Sequence, residues 1–171
     1  MIELHSTSPE QTQAVAAAIA RLARPGDLIV LVGEMGAGKT AFAQGFAKAL
    51  GIHEPVTSPT YTIVHTYESG STTLHHADLY RLEHTAEVDD LALGELLDDR
   101  SMMLVEWGDV VDLGPHLRVE LRHGDDGDGD DDDDDDEGDS DERRRRLVVS
   151  SSDRRWAPRW ERLEAALQEW A

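Results

Sequence analysis

The chain has no cysteine among its 171 residues. This excludes a disulfide scaffold, a cysteine-ligated zinc or iron–sulfur centre, and thiol catalysis. Lysine is nearly missing too. Only Lys39 and Lys48 occur, and neither follows an asparagine, so the N-K-x-D guanine-recognition motif cannot be present. No apolar run approaches the ~18 to 20 residues of a membrane span. Residues Met1 to Glu10 lack the basic-then-apolar pattern of a secretory signal. The expectation from these absences is a soluble, cytoplasmic protein with no membrane partner. An apolar content of 39% suits one core, hence one domain over residues 1–171.

What is abundant is negative charge, unevenly placed. The formal net charge is −20, yet residues 124–142 alone hold fourteen acidic side chains and no base. Without them 16 basic residues face 22 acidic ones, a balance of −6. Such a tract cannot bury a core and repels itself, so it reads as a disordered acidic insert. It lies between two strand-like segments, Leu117–Leu121 and Leu147–Ser150, which makes it an oversized hairpin loop. Arg143 to Arg146 follow it and read best as local charge compensation.

Local patterns give the order of elements. Ile2–His5 suits a short strand. Ser8-Pro9-Glu10-Gln11 is a helix start, with Ser8 as N-cap, and the helix is expected to run to about Arg24. Leu28–Val32 is an apolar run bounded by turn residues, as in a strand buried on both faces. A Gly-rich stretch and an Ala-rich helix, Lys39–Leu50, come next. Thr62–Tyr67 and Thr72–Ala77 flank Glu68-Ser69-Gly70-Ser71 as a hairpin. Val88–Leu97 suits a short helix, Met102–Val105 a strand, and Trp160–Trp170 a closing amphipathic helix, with Trp156, Trp160 and Trp170 expected to pack this region to the sheet.

The strongest site signal is Gly33-Glu34-Met35-Gly36-Ala37-Gly38-Lys39-Thr40, which fits G-x-x-x-x-G-K-[ST] between a strand and a helix. In such a loop consecutive backbone N–H groups turn inward around phosphate oxygens, and the helix behind presents its own unpaired N–H groups. Lys39 would neutralise β and γ phosphates, and the Thr40 hydroxyl would bind Mg²⁺. The nucleotide-binding set is Gly33, Glu34, Met35, Gly36, Ala37, Gly38, Lys39, Thr40 and Ala41.

Phosphoryl chemistry also needs carboxylates, usually at the ends of apolar strands. Asp78 follows Leu74-His75-His76-Ala77, and Glu106 follows Met102-Met103-Leu104-Val105. Either can hold Mg²⁺, with the other orienting the attacking water. The catalytic set is therefore Lys39, Asp78 and Glu106, and the metal set Thr40, Asp78 and Glu106. His75 and His76 are adjacent on a strand and point to opposite faces, which argues against a two-histidine metal site. His76 shares a face with Asp78 and is placed to orient it. Trp107 can stack on a base or simply pack, and Tyr80 and Arg81 divide evenly between packing and function.

Four segments in this order, GEMGAGKT (33–40), TSPTYT (57–62), HADLYRL (76–82) and LVEW (104–107), resemble the bacterial TsaE family of tRNA threonylcarbamoyladenosine biosynthesis. The resemblance covers roughly residues 5 to 122. It implies an α/β, P-loop NTPase-like fold, a central mixed sheet flanked by helices. It implies an ATPase, weak alone, with Mg²⁺ as cofactor and ATP as substrate. The 57–62 segment would act as a switch loop near the γ-phosphate with Thr60 as its contact, and Trp107 would lie near the nucleotide. It further implies, as partner, a threonylcarbamoyl-transferase heterodimer of the TsaB–TsaD type, with tRNA reached through that complex, and a role in resetting the complex between turnovers. The compact hairpin usual in the family is replaced here by the acidic tract, for which the resemblance supplies no role. Two alternatives rest on the same P-loop: a small-molecule kinase, with Arg143 to Arg146 as its lid, and a nucleotide-dependent regulator that does not hydrolyse.

Overall fold

The computed structural model describes residues 1–59, 63–70, 72–80, 93–124 and 144–171. Its strands are β1 (Ile2–Ser6), β2 (Leu28–Val32), β3 (Val64–Ser69), β4 (Thr72–Asp78), β5 (Ser101–Glu106), β6 (Leu117–His123) and β7 (Arg145–Ser151). Its α-helices are α1 (Pro9–Ala20), α2 (Lys39–Ala49), α3 (Leu93–Leu96) and α4 (Trp160–Leu167). The strands form one mixed sheet in the order β1-β7-β6-β2-β5-β4-β3. The four central strands, β6, β2, β5 and β4, are parallel, and the pairs outside them are antiparallel. This is the expected α/β architecture. Among the described residues no helix is long and apolar enough to cross a membrane.

The period-2 alternation of strand side chains divides the core into two layers. Ile29, Leu31, Leu74, Met102 and Leu104 face α1 and α2 in the larger cluster. Leu28, Val30, Ala77, Met103 and Val105 form the smaller one on the other face, covered in part by Leu93, Leu97 and Leu113. All five residues of β2 are buried, as its unbroken apolar run predicts. α1 and α2 pack closely because Gly45 has no side chain. A Cβ there would stand 2.3 Å from the Gln13 carbonyl oxygen.

Helix ends differ from expectation for visible reasons. Ser8 caps α1, its hydroxyl accepting from Gln11 N–H at 3.2 Å, but Gln11 reaches back to the Thr7 amide. The helix stops at Ala20, not near Arg24. The Arg24 amide is taken by the Asp27 carboxylate at 2.8 Å, and Pro25 disfavours helical geometry at the residue before it. The closing helix is likewise shorter, Trp160–Leu167, between 3-10 turns at Arg154–Arg159 and Gln168–Trp170. Pro158 lies in the first of these and cannot donate to a ladder.

The chain's end is tied down as well as packed. Trp156 is fully buried, and Trp160 and Trp170 pack against the same core. The Arg159 guanidinium lies 4.0 Å over the Trp156 ring and pairs with Asp27 at 2.6 Å. Both charges are out of water, at 4% and 1% exposure, which makes this pair the clasp between the C-terminal segment and the turn before β2.

The expected hairpin forms between β3 and β4, paired from Val64 with Ala77 to Ser69 with Thr72, while Thr62 and Ser71 of that expectation lie outside the described residues. The second hairpin, β6 with β7, is paired to its root at His123 and Arg145. The acidic tract leaves from that root, and residues 125–143, on which the disordered-loop expectation falls, lie outside the described residues. So do residues 88–92 of the expected Val88–Leu97 helix, of which Leu93–Leu96 is seen.

Candidate functional site

The candidate site forms where the parallel strands end. In an open α/β sheet, ligands bind beyond the carboxyl ends of such strands. Here β2 runs straight into the Gly-rich loop, and β4 and β5 end on Asp78 and Glu106. The loop is held against the neighbouring strand by Gly33, whose φ is +150°. A Cβ there would stand 2.2 Å from the Leu121 carbonyl oxygen, so only glycine lets the chain turn this tightly beside β6. Ala37 buries its methyl in the core beneath the loop, and α2 begins at Lys39.

A cleft of about 430 Å³ opens above the loop. Met35, Gly36, Gly38, Lys39, Thr40, Asp78, Glu106 and Trp107 line it, joined by Ser58 and Tyr80. Its volume falls within the ~300 to 1,000 Å³ of small-molecule sites. Most of the residues singled out from sequence thus meet in one place. Gly33, Glu34, Ala37 and Ala41 shape the loop and the helix start without lining the cleft. Thr60 lies outside the described residues, as do Tyr61 and Arg81.

The charges are arranged asymmetrically. Lys39 Nζ donates to the Gly33 and Glu34 carbonyls, both at 2.7 Å, and stands 4.0 Å over the Trp107 ring. Burial holds this ammonium below the usual lysine range, while the Glu106, Asp78 and Asp109 carboxylates pull in the opposite direction. Asp78 and Glu106 are register partners at the ends of adjacent parallel strands, so their side chains leave the same face of the sheet. Asp78 accepts from the Tyr80 amide at 2.9 Å and from the Ser58 hydroxyl. Glu106 is 3% exposed and meets His76 Nε2 at 2.9 Å.

That last contact corrects the sequence reading. His76 does not orient Asp78, two residues along its own strand. It holds Glu106 on the neighbouring strand. The register pairs His76 with Leu104, so Glu106 stands diagonally across the β4–β5 pairing, where the longer glutamate side chain brings its carboxylate to the imidazole. His75, on the opposite face as expected, bonds Thr66 at 2.9 Å.

Other features of the site were not read from sequence. Ser58 ties the 57–59 segment to Asp78. Ile63 and Trp107 are the two non-glycine residues with positive φ among those described, at 64° and 60°. Both flank the cleft's carboxylates, since the Asp78 amide donates to the Ile63 carbonyl and Trp107 follows Glu106. Backbone strain of this kind concentrates at functional sites. Tyr80 packs on Trp107 at 4.9 Å between ring centres, which places both aromatics at the cleft. Arg145 extends from the root of the second hairpin to the Gly36 carbonyl at 3.3 Å, and Arg146 pairs with Glu3 of β1 at 2.6 Å. The sequence points to Trp107 and to the 57–62 segment and weighs Tyr80 for the site, but these contacts themselves depend on strand register or loop path.

The donor set suits a hard, oxygen-seeking cation held partly by its substrate. Thr40, Asp78 and Glu106 offer only oxygen, and the described residues contain no cluster of three or more acidic or histidine groups that would hold a metal unaided. Mg²⁺ fits that situation, because it usually takes one or two carboxylates and completes its shell with phosphate and water.

Comparison with known proteins agrees with the geometry. The family model for the threonylcarbamoyl adenosine biosynthesis protein TsaE matches residues 6–130. The chain is 41% identical over 129 residues to the tRNA threonylcarbamoyladenosine biosynthesis protein TsaE of Bacillus subtilis, covering 73% of this chain and 80% of that protein. It is 38% identical over 106 residues to the TsaE of Treponema pallidum, covering 62% and 78% respectively. The crystal structure of Bacillus subtilis YdiB superposes with a TM-score of 0.74 at 29% identity, covering 96% of this chain and 94% of that one.

Proposed function

The chain belongs to the TsaE family of tRNA threonylcarbamoyladenosine biosynthesis, and we propose that its part in that process is Mg²⁺-dependent ATP hydrolysis that resets a threonylcarbamoyl-transferase heterodimer between turnovers. The observation carrying this reading is the pairing of Asp78 and Glu106 in register, in the same cleft as Lys39 and Thr40. A passive phosphate-binding loop has no need of two carboxylates beside its lysine.

The roles follow from position. The loop from Gly33 to Gly38 offers its backbone N–H groups to the phosphates. Lys39 has two of its three N–H bonds on loop carbonyls, which fixes its charge at the mouth of the loop. Thr40 and Asp78 supply oxygens for the cation. Glu106, the most enclosed carboxylate of the cleft, serves the cation or the attacking water. Bound Mg²⁺ would supply neutralisation of the phosphate charge that develops as the terminal bond breaks. Trp107 walls the cleft beside the lysine. The segment around Ser58, tied to Asp78, is the natural element for reporting the state of the nucleotide to the partner, with Thr60 and Tyr61 as its proposed contacts.

Purified protein with Mg²⁺ and ATP tests this directly, with Lys39→Ala as the blank. Slow release of inorganic phosphate without any acceptor, absent from the blank, supports hydrolysis. Tight ATP binding with no phosphate release would favour a kinase awaiting an acceptor or a nucleotide sensor.

A further inference from the structure

We propose that His76 is a positioning residue that holds Glu106 in its working orientation and keeps it off Lys39. This rests on the reading of Glu106 as the carboxylate that serves the cation or the water. His76 is fully buried in the middle of β4, and its Nε2 stands 2.9 Å from Glu106 Oε1. Its other nitrogen, Nδ1, has no hydrogen-bond partner. A carboxylate oxygen accepts, so the contact with Glu106 is made by a proton on Nε2, donated to Oε1.

An apolar side chain would fill this position at no polar cost, since the residues beside it on the same face, Leu74 and Leu104, are apolar and fully buried. A histidine with one idle nitrogen is a worse packing choice, which points to a use for the other nitrogen. The need is evident from the cleft. Glu106 and Lys39 attract one another, yet Lys39 donates to the Gly33 and Glu34 carbonyls instead. A carboxylate anchored through one oxygen to a buried imidazole cannot swing over to neutralise the ammonium. Its second oxygen stays directed by the anchored one. Groups that orient a working carboxylate in this way typically change activity by about 10- to 100-fold when removed.

The full-length chain carries the test, in two arms. In the first, His76→Leu lowers phosphate release by about 10- to 100-fold and leaves ATP affinity within about two-fold. His76→Gln, which can present an amide N–H near the position of Nε2, restores most of the rate. In a Glu106→Gln background, His76→Leu costs nothing further. A His76→Leu rate equal to that of the unaltered chain overturns the proposal, as does an equal loss in both backgrounds. In the second arm, the ¹⁵N resonances of the His76 ring report its tautomer in the unaltered protein. A proton on Nε2, and ring resonances that shift on Glu106→Gln, support the proposal. A proton on Nδ1, or indifference to Glu106→Gln, overturns it. If the unaltered chain releases no phosphate beyond the Lys39→Ala blank, the hydrolysis reading fails, and the second arm still decides the role of His76.

Discussion

Asp78 and Glu106 end adjacent parallel strands in register, so two carboxylates leave the sheet side by side on the face covered by the P-loop helix. Twenty-eight positions separate them in sequence, and only the β4–β5 pairing brings them together. With Lys39 and Thr40 lining the same cleft, this juxtaposition is what the proposed hydrolysis rests on.

The first prediction concerns those two carboxylates. Asp78→Asn and Glu106→Gln should each lower phosphate release by on the order of 100-fold or more, the usual cost of losing a group that acts on a reacting atom. Asp78→Asn should also raise the Mg²⁺ concentration needed for half-maximal rate. Titration of rate against Mg²⁺ at saturating ATP checks both. Full activity in either variant would remove that residue from the catalytic set.

Trp107 should report the nucleotide. Its ring lies 4.0 Å from the Lys39 ammonium, which must shift if the lysine turns to a phosphate. ATP should therefore change the tryptophan emission of the unaltered chain. The change should vanish in Trp107→Phe, although Trp156, Trp160 and Trp170 remain. A signal of equal size in Trp107→Phe would show that the nucleotide acts elsewhere.

The Asp27–Arg159 clasp should matter for stability and little for chemistry. Both partners are buried, and removing one leaves the other's charge uncompensated, at a cost of about 3 to 5 kcal/mol. Asp27→Ala should show this loss in urea denaturation, while Asp27→Leu combined with Arg159→Met should recover much of it. Rates measured where the variants remain folded should match those of the unaltered chain. A loss under 1 kcal/mol in Asp27→Ala would show that the pair does not anchor the C-terminal segment.

The acidic tract should be dispensable for nucleotide affinity. β6 and β7 are paired up to His123 and Arg145, and Gly124 N–H bonds the Arg144 carbonyl at 3.0 Å, so a shortened turn can close at that root. Deleting residues 125–141 should leave the ATP dissociation constant within about two-fold. A larger loss, read by isothermal titration, would mean that the tract contributes to the cleft.

How much of this could be read beforehand follows from the range of each interaction. The P-loop was legible because its chemistry sits in eight consecutive residues. Asp78 and Glu106 were legible as acids that close apolar runs. Their pairing was not, because parallel register is set by packing between segments distant in sequence. The same holds for His76: Asp78 shares its face two residues along the strand, but the longer Glu106 side chain reaches the imidazole diagonally from β5. α1 was expected to reach Arg24 because propensity favours it, but Asp27 captures the Arg24 amide and ends it early. Ser58 and Tyr80 reach the cleft, and Arg145 reaches the Gly36 carbonyl, along loop and hairpin paths that no local pattern encodes.

The most direct test of the central claim is ATP turnover with the threonylcarbamoyl-transferase heterodimer added. The account predicts slow, Mg²⁺-dependent phosphate release by the chain alone, a clear rise on adding the heterodimer, and neither in Lys39→Ala. A rate unmoved by the heterodimer, with ATP bound as tightly as before, would contradict it.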